Sequence, residues 1–100
     1  MAYEVIWSDN ATNDLDKIFN YLSEKWSRKI ANEFVMECKL KIELITLAPF
    51  LGHLSQSRQS VRRILISKHN YLYYKIIKNN IYLLNFIDTR QDPAKNPFNN

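Results

Sequence analysis

The first half of the chain carries its hydrophobic residues at helical spacing. A short β-prone run at residues 3–7 is followed by Ser8, Asp9 and Asn10, whose side chains accept hydrogen bonds from the free N–H groups that open a helix. The apolar positions after them recur every three or four residues: Leu15, Ile18, Phe19, Leu22 and Trp26. The pattern predicts a strand and then an amphipathic helix.

A second helical pattern begins at Ser27, another capping residue, and is stopped by Pro49. It carries two apolar stripes. The first runs through Ala31, Phe34 or Val35, Cys38, Ile42 and Ile45, and the second through Met36, Leu40, Leu44 and Leu47. So wide an apolar arc predicts that the helix touches both its neighbour and a sheet. Because almost no linker separates the two helices, we expect an antiparallel hairpin.

The second half of the chain changes to β-type patterns. Residues 61–66, 71–77 and 81–87 are rich in β-branched and aromatic side chains, and residues 50–60 are typical of a loop. Asn79 and Asn80 suit a two-residue hairpin turn that pairs Lys78 with Ile81. The order predicts one α+β domain over residues 1–100: an N-terminal strand, a helical hairpin and a three-stranded antiparallel meander (β-α-α-β-β-β), with the helices packed on one face of the sheet.

Alternation along the strands assigns side chains to two faces of this sheet. The face predicted to pack under the helices carries Leu72, Tyr74, Ile76, Ile81, Leu83 and Ile87. The opposite face is predicted to carry Tyr71, Tyr73, Lys75, Tyr82, Asp88 and Arg90. Arg62 is expected to join the second face, which also holds Ile77, Leu84 and Phe86. Since this surface is too apolar to face water alone, we expect a partner to cover it.

Charge is distributed unevenly between the halves. Residues 1–50 have a net charge of −2, whereas residues 51–100 have a net charge of +6. The positive potential therefore belongs to the predicted sheet, where a polyanion or an acidic protein is the expected partner.

Composition limits the class of protein. The apolar runs are too short to span a bilayer, and no basic segment followed by an apolar one opens the chain, so a cytoplasmic protein is expected. The single Cys38 is predicted to be a buried, inert residue, and Trp7 and Trp26 are predicted to lie in the core. His53 and His69 lack the spacing of metal ligands, so we predict no metal and no cofactor.

Three segments together resemble the RelE/ParE superfamily of type II toxin–antitoxin toxins. They are the Val61-Arg62 pair, the Tyr-x-x-Tyr-Lys-Ile stretch at residues 71–76, and the sequence Asp-Thr-Arg-Gln-Asp-Pro at residues 88–93. The resemblance extends over nearly the whole chain. It implies a growth-inhibiting toxin that an acidic, partly disordered antitoxin neutralises by folding onto it in a hetero-oligomer.

Members of the superfamily act by two mechanisms, and each mechanism has its own target. RelE-like members are ribosome-dependent mRNA endonucleases, in which several cations stabilise the transition state at one phosphodiester. ParE-like members inhibit DNA gyrase and are not nucleases. Arg62 and Arg90 match basic positions of the nucleases, but Ile64 and Tyr71 stand where further cations are wanted, and residues 88–89 replace a histidine. These departures favour the ParE-like function and leave enzymatic activity uncertain.

If the chain is a nuclease, the candidate catalytic residues are Arg62, His69 and Arg90, with His69 as a proton shuttle. The residues predicted to bind a partner or target are Arg62, Lys68, Tyr71, Tyr73, Lys75, Asp88 and Arg90. The three tyrosines Tyr71, Tyr73 and Tyr82 would also suit base stacking. A bare nucleic-acid-binding or adaptor domain is therefore the alternative from another class, although no base-reading motif is found.

Overall fold

The protein is a five-stranded sheet with a helical hairpin on one face. Its structure, a computed structural model, describes residues 3–55 and 60–90. The elements are β1 (Glu4–Trp7), α1 (Asp9–Lys25), α2 (Arg28–Leu47), a 3₁₀ turn (Pro49–Leu51), β2 (His53–Leu54), β3 (Val61–Ser67), β4 (Asn70–Ile77) and β5 (Asn80–Asp88). The predicted α+β order is confirmed, and the short β2 is added inside the predicted loop. Residues 91–93 of the family-like tail lie outside the described residues.

The helices begin and end where the sequence predicts. The Ser8 side chain accepts a hydrogen bond of 3.0 Å from the backbone N–H of Ala11, and the Ser27 side chain accepts one of 3.1 Å from Ile30. Each bond satisfies one of the N–H groups that a helix start leaves free. Pro49 follows the end of α2 and opens the 3₁₀ turn.

The sheet has the strand order β1-β5-β4-β3-β2. β1 runs parallel to β5, and the other neighbouring strands are antiparallel. A parallel pair has to be joined by a crossover, which here passes through the helical hairpin. The hairpin consequently lies over one side of the sheet. We call that side the covered face and the opposite side the open face.

The main core lies between the hairpin and the covered face. Its buried members are Ala11, Phe34, Cys38, Ile45, Ile66, Leu72, Tyr74, Ile81, Leu83 and Phe86. The positions predicted for β4 and for the first half of β5 are thus confirmed. Cys38 is buried as predicted, and burial raises the pKa of its thiol to about 12. A thiol with that pKa stays protonated and unreactive at neutral pH.

Two parts of the predicted core are wrong. Trp7 is 39% exposed and Trp26 is 71% exposed, because one lies on the edge strand and the other at the turn between the helices. The second apolar stripe of α2 is also exposed, since only the first stripe faces the sheet. Its members are Met36, Leu40, Leu44 and Leu47.

A β-bulge interrupts β5. Tyr74 pairs with Leu83. The preceding residue, Tyr73, pairs with Asn85, so that Leu84 is an extra residue without a partner on β4.

Residues of the N-terminal part bind the backbone that the bulge releases. The Ser8 hydroxyl donates a hydrogen bond of 2.9 Å to the carbonyl of Leu84. One carboxylate oxygen of Asp14, on α1, accepts bonds of 3.2 Å from the Asn85 side chain and 3.0 Å from the Phe86 backbone N–H. Hydrogen bonds to a charged acceptor contribute about 1.5–3 kcal/mol each. The bulge is therefore tied directly to α1.

The bulge inverts the faces predicted for the end of β5. Phe86 lies on the covered face and Ile87 on the open face, the reverse of the prediction. Asp88 pairs with Asn70 and, with Arg90, borders α1 instead of the open face. The predictions for these residues were wrong because strict alternation holds only in a strand without an extra residue.

A second bulge, at Ile66, reverses the faces on which the residues of β3 were predicted to lie. Leu65 pairs with Tyr71 and Ser67 with Asn70, which leaves Ile66 extra. The sequence predicted that Ile66 itself pairs with Tyr71. Ile66 is instead buried in the main core, where its large apolar side chain is removed from water.

This bulge exchanges the faces of the sheet on which two consecutive arginines lie. Arg62 pairs with Tyr74 and lies on the covered face, whereas Arg63 pairs with Tyr73 and lies on the open face. Arg62 was predicted to lie on the open face. Its position follows from the Ile66 bulge and not from the alternation of β3 itself.

The turn between β4 and β5 is one residue earlier than predicted. Ile77 pairs with Asn80, so the turn residues are Lys78 and Asn79, and Lys78 has φ = 57°. This register places Ile76 opposite Ile81 on the covered face. The turn therefore accepts a left-handed lysine, which is uncommon because the Cβ of an L residue crowds its own backbone there.

A buried tyrosine fixes the segment after α2. The Tyr74 hydroxyl accepts a bond of 2.9 Å from the Gly52 N–H and donates one of 2.8 Å to the Pro49 carbonyl. Arg62 donates to the carbonyls of Phe50 and Gly52 at 3.2 and 2.8 Å, and its guanidinium lies 5.0 Å above the Phe50 ring. A Cβ at Gly52 would overlap the tyrosine hydroxyl, so this close approach requires glycine.

Tyr74→Phe is expected to lower the free energy of unfolding by about 1–3 kcal/mol, because the Gly52 N–H and the Pro49 carbonyl lose a buried partner. Urea unfolding measures this change in the free energy of unfolding. The matched control is Tyr82→Phe, on the open face, which should change stability by less than about 0.5 kcal/mol. Equal effects of the two substitutions would contradict the assigned role of Tyr74.

Lys78→Gly is expected to raise the free energy of unfolding by about 0.5–1 kcal/mol, since glycine adopts positive φ without a Cβ contact. The same change at Asn80, which lies in β5, should instead destabilise the hairpin. Thermal or urea unfolding of both variants tests the observed turn against the turn predicted from sequence.

Candidate functional site

The open face combines aromatic and basic side chains. Val61, Tyr73 and Ile87 form a small buried cluster there, against which Tyr71 and Leu84 pack. The Tyr71 and Tyr73 rings meet edge to face, with centroids 6.5 Å apart. The open face thus has a second, smaller apolar cluster of its own.

Two cations of the described residues lie on the open face, Arg63 and Lys75. The Arg63 guanidinium lies 4.4 Å from the centroid of the Tyr71 ring, a cation–π contact that holds its long side chain against the sheet. Lys75 pairs with Val61 on one side and Tyr82 on the other. The surface therefore presents flat aromatic area with positive charge at its margin.

Arg63 is the residue that sequence reasoning missed on this face. The sequence signal was ambiguous, because consecutive residues on a strand point to opposite sides and the family resemblance favoured Arg62. The bulge at Ile66 determines that Arg63, and not Arg62, lies on the open face. Arg62 is occupied by two backbone carbonyls near the 3₁₀ turn, and Ile64 packs into the main core, so neither reaches Tyr71 across the sheet.

A separate groove runs between α1 and the ends of β4 and β5. It has a volume of about 380 Å³ and is lined in part by Lys17, Tyr21, Asn70, Asp88 and Arg90. A neighbouring groove of about 600 Å³ continues from it towards the α1–α2 turn. The predicted residues Asp88 and Arg90 thus belong to a helix-side groove and do not join the tyrosines of the open face.

Arg90 is held by Asp88 in a bidentate ion pair. Its Nε and Nη2 atoms donate bonds of 3.1 and 2.8 Å to the two carboxylate oxygens, and its backbone N–H donates one of 2.8 Å. These bonds, the side-chain ones first, hold the pKa of Asp88 below its ordinary value of 3.8, against an opposing effect of burial. At neutral pH the arginine is consequently neutralised by its own neighbour.

Lys68 and His69 form the turn between β3 and β4, as predicted, and border the second groove. The backbone N–H of Thr89 donates a hydrogen bond to the carbonyl of His69, which keeps the turn beside the end of β5. His69 is also near enough to Asp88 to help lower the pKa of that carboxyl. The turn therefore belongs to the grooves on the helix side.

The three candidate catalytic residues do not form one site. Arg62 lies near the 3₁₀ turn on the covered face, while His69 and Arg90 lie near the β3–β4 turn. Within residues 3–55 and 60–90, no three His, Cys, Asp or Glu side chains are placed to share a metal ion. Neither helix in this part of the chain is long and apolar enough to cross a membrane.

Comparison with known proteins gives the family. The sequence profile described as ParE toxin of type II toxin-antitoxin system, parDE, matches residues 5–93. The chain belongs to the ParE toxin family. It is thus a toxin of a type II toxin–antitoxin system, and the family implies a cognate antitoxin as its partner. A search of curated proteins found no match to its sequence.

Solved structures share the fold of this ParE-family chain. The chromosomal ParDE TA system from P. aeruginosa has a TM-score of 0.74 at 16% identity, covering 87% of this chain and 96% of that one. The YoeB dimer from Staphylococcus aureus has a TM-score of 0.60 at 13% identity, covering 85% and 94%. The YoeB/ParE toxin from Agrobacterium tumefaciens has a TM-score of 0.58 at 12% identity, covering 85% and 97%.

Removing the arginine should raise the pKa of Asp88. In Arg90→Gln the bidentate bonds are lost, so the carboxyl of Asp88 is expected to titrate closer to 3.8 than in the parent chain. Stability supplied by the pair is present above the ordinary pKa and is lost as the pH falls through the lowered one. Carboxyl ¹³C shifts measured against pH test this, and an unchanged midpoint would contradict it.

Proposed function

We propose that this ParE-family toxin inhibits growth by binding DNA gyrase through its open face, and that a cognate acidic antitoxin neutralises it in a hetero-oligomer. The observation that carries the proposal is the engagement of Arg62 and Arg90 in bonds to their own chain. These are the two arginines that resemble catalytic residues of the nuclease branch. Each is held by groups of its own chain, and the two lie apart, one near the 3₁₀ turn and one in the helix-side groove, so they do not converge on one phosphodiester.

Electrostatics supports protein binding over RNA cleavage. A phosphodiester that gains charge in its transition state needs several converging cations, as a single distant one stabilises it poorly. On the open face, the described residues supply Arg63, which is stacked on Tyr71, and Lys75. Aromatic side chains flanked by arginine are instead typical of the centres of protein interfaces.

The charge of the sheet half supports an acidic antitoxin. Residues 51–100 carry a net charge of +6, and an acidic segment that folds onto them gains both Coulomb attraction and apolar burial. Lys68, at the turn between β3 and β4, carries a further positive charge at the border of the helix-side grooves. The antitoxin and the target are proposed to share part of this surface, which explains neutralisation by occlusion. A cytoplasmic location is part of the same proposal.

A supercoiling assay tests the target. Purified toxin is expected to block ATP-dependent supercoiling of relaxed plasmid by gyrase and to leave ribosome-bound mRNA intact. Arg63→Glu/Lys75→Glu should raise the inhibitory concentration about tenfold or more, which corresponds to about 1.4 kcal/mol of binding free energy. Codon-positioned cuts in mRNA of a translating extract would overturn the proposal in favour of the RelE-like mechanism.

A matched double variant controls for net charge. Lys25→Glu/Lys29→Glu changes the charge equally, but both lysines are exposed on the helical hairpin. This variant should inhibit gyrase as the parent chain does. If it loses inhibition to the same extent as the open-face variant, net charge and not the open face would govern binding.

A further inference from the structure

The proposed function does not use the exposed apolar stripe of α2. Met36, Leu40, Leu44 and Leu47 are between 44% and 78% exposed, on the side of α2 away from the sheet. At about 1.5 Å per residue the stripe is about 16 Å long. Phe50 and Leu51, in the 3₁₀ turn that follows, are exposed as well. An exposed apolar stripe of this kind indicates an interaction site.

The charges beside the stripe are balanced, unlike those of the sheet. At about 100° per residue, Glu37 and Lys41 lie on one flank of the stripe and Glu43 and Lys39 on the other. Each flank thus carries one acid and one base. An acidic antitoxin gains no net attraction from such a surface, in contrast to the basic open face.

The order of these charges makes the stripe complementary to itself. In an antiparallel pair of α2 helices centred on Leu40, the same flank of each copy meets, with its order reversed. Glu37 then faces Lys41 of the second copy, and Glu43 faces its Lys39. A two-fold axis repeats every contact, as it does in isologous dimers. The apolar centre is formed by Leu40 against Leu40 and by Met36 against Leu44.

We propose that α2 is a homodimer interface in which a second copy of this chain packs antiparallel across the part of the stripe from Met36 to Leu44. A parallel pair is disfavoured, because Lys29 and Glu33 lie near the line of the stripe and would each meet their own copy. In the antiparallel pair, Glu33 lies about 20 Å from its copy, since fourteen residues of helix axis separate them. The open face stays free in this dimer.

The four flanking charges also have the spacing of intrahelical i,i+4 pairs. Neither intrahelical pair forms in the structure: among the described residues, the ion pair that forms is that of Asp88 with Arg90. Lys41 donates one bond to the carbonyl of Leu65 and keeps two further N–H donors. Glu37, Lys39 and Glu43 are exposed. These side chains therefore remain available to a second copy.

The interface is expected to be reversible. Stable interfaces generally bury about 1,200–2,000 Å² in total, and a single helical stripe buries less. Sedimentation velocity of the full chain without its antitoxin should therefore show a dimer that dissociates on dilution. In Leu40→Glu two carboxylates would meet at the two-fold axis, so the mass should fall by half at concentrations where the parent chain is dimeric. Far-UV circular dichroism confirms that the variant is folded.

A charge-exchange experiment separates dimer contacts from effects within one helix. Glu43→Lys alone opposes lysines across the interface, and Lys39→Glu alone opposes glutamates, so each variant should be mainly monomeric. An equimolar mixture should recover the dimer, because residue 43 of one variant then pairs with residue 39 of the other in both positions. Intrahelical pairing cannot produce that recovery.

Three results would overturn the proposal. They are a parent chain that stays monomeric at its highest soluble concentration, a mixture of the two charge variants that stays monomeric, and a monomeric parent chain whose Leu40→Glu variant binds the cognate antitoxin less tightly. The last would assign α2 to the antitoxin. The first two leave the gyrase assay unaffected, so failure of this interface is distinguishable from failure of the proposed function.

Discussion

The contact between α1 and the bulge at Leu84 determines which side chains of β5 lie on each face of the sheet. One extra residue in β5 exchanges the faces on which the later residues of the strand lie. The backbone groups that it releases would destabilise the fold if they were left unpaired under the helices. The Ser8 hydroxyl and the Asp14 carboxylate bind those groups. The same Ser8 oxygen caps α1, so the start of the helix, its docking on the sheet and the inversion of β5 depend on one another.

This dependence explains what the sequence could and could not predict. Helix boundaries depend on neighbouring residues, such as the caps Ser8 and Ser27 and the terminating Pro49, and all three were predictable. The faces of β4 followed from simple alternation for the same reason. The bulge at Leu84, in contrast, is held by side chains about 70 positions earlier in the chain, and no pattern within β5 reveals it.

For this reason, the errors of prediction concern the candidate site more than the fold. Two bulges, at Ile66 and Leu84, each invert one end of a strand, and the residues chosen from the family resemblance lay beyond them. The tyrosines and Lys75 on β4 were placed correctly, because β4 carries no extra residue. Arg62, Asp88 and Arg90 were displaced to the helix side. Arg62 there stabilises the segment after α2, together with the buried Tyr74 hydroxyl.

The segregation of charge between the two halves of the chain has a further consequence for assembly. Residues 51–100, which supply four of the five strands, carry a net charge of +6 and attract acidic partners over a distance, whereas the exposed stripe of α2 is apolar with balanced charges and acts only at contact. Because the hairpin and the open face are on opposite sides of the sheet, occupation of one leaves the other accessible. In the proposed arrangement, the toxin self-associates through its helices while its open face exchanges between antitoxin and target.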